Sequence, residues 1–191
     1  CDILVIAGPT KGFSTEEVNI IHNYLDKGGK MLAMLEPALG RNKPSSLKEL
    51  LKDYNVDIKE DAVIYNKVDM PLFGMQTVAE VYVSKDKYKE HKITTGITNL
   101  TTVFFGAIPI SVIGTQDIKQ AYNAWKLAQA QDQAWGETQV ESGKKPENDR
   151  EVDVQSPIGL IYAVEPADPA TAASIAHGAP APEAGTITAK G

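Results

Sequence analysis

The sequence predicts an α/β fold: a three-layer sandwich with a largely parallel central sheet and a β-rich second half. Two apolar runs support this prediction, residues 3–7 and 31–35. Five apolar residues bounded by turn formers are typical of a strand that is buried on both faces inside a parallel sheet. A helical pattern lies between the two runs. Strand, helix and strand in one short span favour a right-handed βαβ unit.

The first helix has clear start and stop signals. Ser14 precedes Glu17 by three positions, which is the reciprocal pairing that begins many helices. Apolar residues then recur on one face at helical spacing: Val18, Ile21 and Leu25. Gly28 ends the helix, because glycine adopts a left-handed conformation without steric cost.

A second helix and a third strand follow. Ser45 or Ser46 caps the helix, and Asn55 stands where it ends and can take the left-handed conformation. The apolar stripe of this helix consists of Leu47, Leu50, Leu51 and Tyr54. Residues 62–65 are predicted as a short third strand.

The second half is predicted as an alternation of strands and connections. Pro71 and Gly74 mark residues 66–76 as a loop, and Gly106 and Pro109 indicate a break within a β-rich segment. The predicted elements are a strand open to water on one face at 77–84, β structure at 102–113, a helix at 116–135 and a last strand at 157–164.

Composition divides the chain into residues 1–165, the α/β domain, and residues 166–191, a Pro/Ala-rich tail or linker. The tail has almost no large apolar residues, so it cannot bury enough surface to offset its ordering entropy. A net charge of -6 argues against a nucleic-acid partner. No run approaches the roughly 20 apolar residues of a membrane helix. We interpret the chain as a segment excised from a longer protein; a lipid-modified Cys1 is the alternative.

Four residues form a hypothetical ligand-binding rim. Thr10, Lys11 and Ser14 follow the first strand, and Glu36 follows the second. Ligands in open α/β sheets gather beyond the carboxyl ends of the strands, and helix amides near Ser14 suit an anion. The alternative interpretation is a capped helix beside a solvated loop.

The sequence predicts no catalytic residue, no metal site and no cofactor. A glutamine amidotransferase requires a cysteine on a sharp strand-to-helix turn with a histidine behind it, whereas Cys1 precedes the first strand. The chain also lacks a Gly-x-Ser-x-Gly elbow. His91 follows a charged connection and is not predicted to act in a hydrolase triad.

Several segments in consistent order resemble the auxiliary component of gliding-motility-type ABC transport systems. They are the opening strand and loop at 2–11, the helix end and second strand at 24–32, residues 47–56 and 61–64, the His-x-Ile-Thr element at 91–94, and the landmarks at 135–138 and 153–159. Lys92 and Ser156 depart from the family's pattern, which has proline and glycine there.

The resemblance implies a glutamine-amidotransferase-like α/β fold without that enzyme's chemistry, with a further strand just beyond residue 191, so that this sheet lacks an edge strand. It also implies an extracytoplasmic location, at the periplasmic face of the inner membrane, in a membrane-anchored parent protein. The implied partners are the ABC permease and ATPase subunits of the same system.

We therefore expect a non-enzymatic auxiliary domain that acts by binding a partner protein or a ligand. The alternative is a carbohydrate- or small-molecule-binding module, or a hydrolase, that uses the rim after the first two strands. A deep pocket with convergent polar groups at the rim favours this alternative. A flat rim beside an exposed apolar patch favours partner binding.

Overall fold

The fold was analysed in a computed structural model that describes residues 1–9, 11–38, 46–97, 99–113 and 122–167. The α-helices of this described part are α1 (Thr15–Asp26) and α2 (Ser46–Lys52). Its strands in chain order are β1 (Leu4–Ala7), β2 (Met31–Met34), β3 (Val56–Ile58), β4 (Val63–Met70), β5 (Gly74–Val78), β6 (Glu80–Val83), β7 (Thr102–Phe105), β8 (Ile110–Val112), β9 (Tyr122–Gln129), β10 (Trp135–Glu137), β11 (Val154–Gln155) and β12 (Gly159–Pro166).

The opening βαβ unit is confirmed. Strands β1 and β2 are parallel neighbours, with Leu4 beside Met31 and Ala7 beside Met34. At the start of α1, the Ser14 hydroxyl accepts a hydrogen bond from the Glu17 N–H at 3.2 Å, and the Glu17 carboxylate accepts one from the Ser14 N–H at 2.7 Å. Both halves of the predicted capping box are therefore present.

A first hydrophobic core lies between the β1–β2 pair and the helices α1 and α2, which pack against one face of the two strands. The predicted stripe of α2 is confirmed, because all four of its residues are buried. Asn55 follows α2 with a φ of 65°, as expected for a left-handed residue at a helix end. The buried members of the core are Ile6, Ile21, Leu47, Leu50, Leu51, Tyr54, Val56, Ile58 and Ile108.

The predicted three-layer sandwich with a largely parallel central sheet is wrong. Within the described residues only β1 and β2 pair in parallel; the other pairings are antiparallel, in sheets ordered β11-β10-β4-β5, β3-β8-β12-β9 and β6-β7. Strands account for about 38% of the described residues and helices for about 14%. So little helix cannot supply the crossovers and the two outer layers that a parallel sheet requires.

The predicted helix at 116–135 is also wrong where the structure describes it. Residues 122–129 form β9, which pairs with β12 from Tyr122 opposite Pro166 to Gln129 opposite Gly159. Alanine, lysine and glutamine favour a helix in isolation, but a long antiparallel partner overrides that preference. Residues 116–121 lie outside the described residues.

The predicted loop at 66–76 is a β-hairpin. Strand β4 continues to Met70 and pairs with β5 from Asn66 opposite Val78 to Met70 opposite Gly74. The connection is the short turn at residues 71–73, where Leu72 has a φ of 74°. The alternation predicted for the next segment is confirmed in β6, because Val81 and Val83 are buried while Tyr82 is exposed.

The predicted break in the β-rich segment and the predicted last strand are confirmed. The break near Gly106 and Pro109 separates β7 from β8, and β12 is the predicted last strand. Ser46 begins α2, whereas Ser45 and residues 168–191 of the predicted tail lie outside the described residues, so the tail stays a prediction.

A second core contains Ile64, Val81, Val83, Tyr88, Ala128, Ala130, Ala134, Ile158 and Leu160. Neither helix in the described ranges has the length and apolar character needed to span a bilayer.

Candidate functional site

The carboxyl ends of β1 and β2 meet at one edge, as the sequence predicts. The Gly8 N–H donates a hydrogen bond to the Met34 carbonyl at 2.8 Å. Glu36 folds back over this point: a Cβ built on Gly8 would lie 2.8 Å from Glu36 Oε1. Gly8 also has a φ of 49°, so a side chain there would be both strained and crowded.

Lys11 and Glu36 line the same small crevice at this edge. The crevice has a volume of about 20 Å³, which is room for about one water molecule. Pockets for small ligands are usually about 300–1,000 Å³. The other residues that line the crevice are Pro9, Phe13, Leu35, Leu47, Glu60 and Ile108. Thr10 lies outside the described residues.

Ser14 does not line this crevice. Its hydroxyl accepts the Glu17 N–H, and the Glu17 carboxylate lies at the N-terminus of α1. A carboxylate of the chain itself thus occupies the position where the helix amides would favour an anion. The structure therefore brings together Lys11 and Glu36 but gives Ser14 a capping role.

The β1–β2 sheet has one covered face and one bare face. Leu4, Ile6, Met31 and Ala33 contact the first core. On the other side lies a surface that we call the open sheet face, formed by Ile3, Val5, Leu32 and Met34, which are 55%, 53%, 51% and 48% exposed.

The prediction that both faces of these strands are buried is therefore wrong. Val5 and Leu32 are direct cross-strand neighbours, so their side chains are adjacent on the open sheet face. A continuous apolar run indicates a strand but does not reveal whether its second face is covered, and nothing in the sequence signals the exposure.

A second apolar surface projects at the turn between β4 and β5. We call it the hairpin tip and define it by Leu72, Phe73 and Met75, which are 100%, 74% and 55% exposed. The sequence predicts these residues only as part of a loop, not as an apolar projection. The available signal was a Leu-Phe pair between Pro71 and Gly74, because turn positions are usually polar.

Two buried carboxylates hold the segment after β10. Asp153 accepts the Thr138 N–H at 2.9 Å and the Asp149 N–H at 2.8 Å. Glu137 accepts the Gln139 N–H at 3.1 Å and the indole N–H of Trp135 at 3.3 Å. They border a polar cleft of about 480 Å³ whose other lining residues are Gln139, Val140, Glu141, Lys144, Lys145, Pro146, Glu147, Asn148, Asp149 and Arg150. The geometry gives both carboxylates a structural role.

Other reactive side chains are also explained by local structure. Cys1 is an exposed thiol ahead of β1. His91 Nδ1 accepts the Ile93 N–H at 3.2 Å, and the Thr94 hydroxyl donates to the His91 carbonyl at 3.1 Å, which agrees with a role in fixing a turn. The described ranges contain no group of three His, Cys, Asp or Glu side chains that could hold a metal ion.

Two comparisons relate the chain to intraflagellar transport protein 52. A 62-residue stretch is 32% identical to the intraflagellar transport protein 52 homolog of Mus musculus, covering 32% of this chain and 15% of that protein. The solved structure titled mmIFT52 N-terminal domain matches with a TM-score of 0.49 and 19% identity, over 73% of this chain and 60% of that one. The chain thus spans less than two thirds of either relative.

The family comparison covers far more of the sequence. Residues 1–176 match the family described as an ABC-type uncharacterized transport system. The match includes the opening βαβ unit, the crevice, the hairpin and the antiparallel sheets through β12. The chain therefore belongs to this family of ABC transporter auxiliary components, and its role is associated with transport.

Proposed function

We propose that this chain is a non-enzymatic binding domain on the periplasmic side of the inner membrane, in an ABC transport system of the gliding-motility class. In this proposal the open sheet face docks on the permease of that system, and the ATPase is reached through the permease. Membership of the family supports the transport setting. The observation that carries the proposal is the open sheet face.

The open sheet face has the properties of an incomplete interior. Parallel strands are normally covered on both faces, whereas Val5 and Leu32 remain about half exposed. Covering the remaining surface of four such side chains would contribute about 1 kcal/mol each. A contiguous apolar surface of this kind marks an interaction site more often than scattered exposed residues do.

The rim supports partner binding over the small-molecule alternative. Its crevice of about 20 Å³ is too small for a sugar or a substrate. The side chains of Ser14 and His91 also support a non-enzymatic function. Ser14 caps a helix and His91 fixes a turn, so both serve local structure.

The test is co-purification of the permease with the full-length protein from detergent-solubilised membranes. The variant V5S/L32S removes two apolar side chains from the open sheet face. The control L100S/V152S removes the same two residue types at positions that are 55% and 46% exposed. We expect the face variant to recover at least about tenfold less permease, since two apolar contacts are lost, and the control to recover the wild-type amount.

Three results would contradict the proposal. The first is equal permease recovery by both variants. The second is a change from dimer to monomer in V5S/L32S, because the face would then bind a second copy of the chain. The third is hydrolysis of an amide or ester substrate that one side-chain change abolishes, because the domain would then be an enzyme.

A further inference from the structure

The hairpin tip is an uncharged apolar projection on an acidic protein. Residues 70–75 contain no ionisable side chain, whereas the whole chain has a net charge of -6. The nearest charges along β4 belong to Asp69 and Lys67, which precede the turn. The apolar side chains at the turn are therefore not mixed with charges, unlike isolated apolar residues on an ordinary surface.

Hydrogen bonds fix the shape of the tip. The Phe73 N–H donates to the Met70 carbonyl at 3.1 Å, and the Gln76 side-chain amide donates to the Phe73 carbonyl at 2.7 Å. Cross-strand pairing continues to Met70 opposite Gly74. Pro71 has no N–H that would need a partner. Both backbone groups of Phe73 are thus satisfied from within the hairpin.

Leu72 is unfavourable for folding at its position. Its φ of 74° lies in the left-handed region, where glycine or asparagine is preferred, and its side chain is fully exposed. The side chain therefore gains nothing from packing inside the described molecule. Such a combination of strain and exposure points to an interaction outside the chain.

We infer that the hairpin tip inserts into the interfacial region of a lipid bilayer. Even at about 150–250 Å² each, the figure for large aromatic side chains, the three side chains together would bury no more than about 450–750 Å², which is less than the roughly 800 Å² per partner of a stable protein interface. A bilayer requires no complementary groove, and its hydrated interfacial region accommodates apolar side chains without requiring that every backbone group of the turn be paired. This inference uses the transport family for the nearby membrane but does not depend on the open sheet face.

The charge of the protein predicts which lipids are bound. A net charge of -6 gives no attraction to anionic headgroups, so apolar insertion has to supply the binding. Vesicles of phosphatidylcholine alone should therefore bind at least as well as vesicles that also contain phosphatidylglycerol. Added NaCl should not weaken the binding, since no favourable ion pairing is screened.

The first experiment is flotation of the chain with phosphatidylcholine vesicles. The variant L72S/F73S removes two side chains of the tip. The control I20S/F105S removes an isoleucine and a phenylalanine that are 67% and 76% exposed elsewhere. We expect the wild type and the control to float equally and the tip variant to float about tenfold less or worse, because membrane affinity scales with buried apolar area.

A second experiment reports on the tip itself. An environment-sensitive fluorophore is attached to C1S/L72C and, as the control, to C1S/I20C, since Cys1 is the only native cysteine. Adding vesicles should shift the emission to the blue at position 72 and leave it unchanged at position 20.

The inference is overturned if the wild type does not float, or if L72S/F73S floats as well as the wild type. It is also overturned if both labelled positions shift alike. Loss of permease recovery in L72S/F73S without any vesicle binding would instead assign the tip to a protein partner.

Discussion

The dipeptide Val-Ile occurs in two strands of this protein with opposite consequences. In β4, Val63 and Ile64 are 4% and 0% exposed, so both faces of the strand are covered. In β1, Ile6 is 6% exposed but Val5 is 53% exposed, so only one face is covered. The same residue types thus form an interior strand in one region and a strand with one exposed face in the other.

The difference shows what an apolar run can and cannot predict. β4 lies between β10 and β5 in a sheet of four strands, and Ile64 belongs to the second core. β1 pairs only with β2 in the described residues, and α1 and α2 cover one side of that pair. In β1 and β4 an apolar run predicts a strand, whereas the number of covered faces depends on elements far away in sequence.

The largest expected effect in the antiparallel region is that of Trp135→Ala. Trp135 has no exposed surface, stacks on Tyr65 with ring centroids 6.1 Å apart and donates its indole N–H to Glu137. We expect its loss to lower the free energy of unfolding by about 3–5 kcal/mol, because a large cavity remains and Glu137 loses a donor. Urea unfolding followed by circular dichroism measures this; a loss below about 1 kcal/mol would contradict the packing.

The matched pair Val63→Ala and Val5→Ala tests the comparison directly. Each substitution removes two methyl groups from a valine side chain. We expect a loss of about 2 kcal/mol at position 63, where transfer and cavity terms add, and well under about 1 kcal/mol at position 5, where solvent already reaches the side chain. Equal losses in urea unfolding would mean that β1 is covered on both faces in solution.

The smallest expected effect concerns Tyr54 in the first core. Its hydroxyl is buried and has no hydrogen-bond partner among the described residues. Burial, together with the negative charge of Asp26, raises the pKa of Tyr54 well above its usual value. Tyr54→Phe should leave stability at neutral pH unchanged or raise it by up to about 1 kcal/mol, because an unpartnered buried hydroxyl is removed.

The pH dependence of that variant has a defined sign. The folded state favours the neutral phenol, while the unfolded chain ionises with a pKa of about 10. The contribution of the neutral Tyr54 phenol to the free energy of unfolding is therefore fully present below about pH 10 and is lost as the pH rises above that value. Wild-type protein should lose more stability than Tyr54→Phe above that pH. Parallel curves for the two proteins would show that the phenol ionises as readily in the folded state.

Local signals predict the helices and strands of the first third of the fold correctly, but not the exposed face of β1 and β2. The capping pair Ser14 and Glu17, the stripe of α2 and the left-handed Asn55 depend on neighbours within a few residues. Two later segments are predicted wrongly, because their structure depends on distant pairing. Tyr122 to Gln129 contains good helix formers, yet β12 holds it as a strand. Asn66 to Met70 lacks a clear alternation, yet β5 extends it as a hairpin.

The candidate site was predictable to a similar degree. The meeting of Lys11 and Glu36 follows from the rule for parallel strand ends, which needs only β1 and β2. The role of Ser14 was ambiguous, because the same hydroxyl can cap a helix or face a ligand, and the structure gives it the cap. The open sheet face and the hairpin tip were missed, since exposure is a property of the whole molecule.

The Asp153 carboxylate has a practical consequence for engineering. It accepts hydrogen bonds from the N–H groups of Thr138 and Asp149. Residues 139–148 therefore form a loop whose two ends are held together by one side chain. Lengthening a loop that is already closed costs little, about 0.6 kcal/mol for each doubling. A guest peptide or fluorescent reporter inserted next to the exposed Gly143 should therefore be accommodated without disturbing the pairing of the strands on either side of the loop.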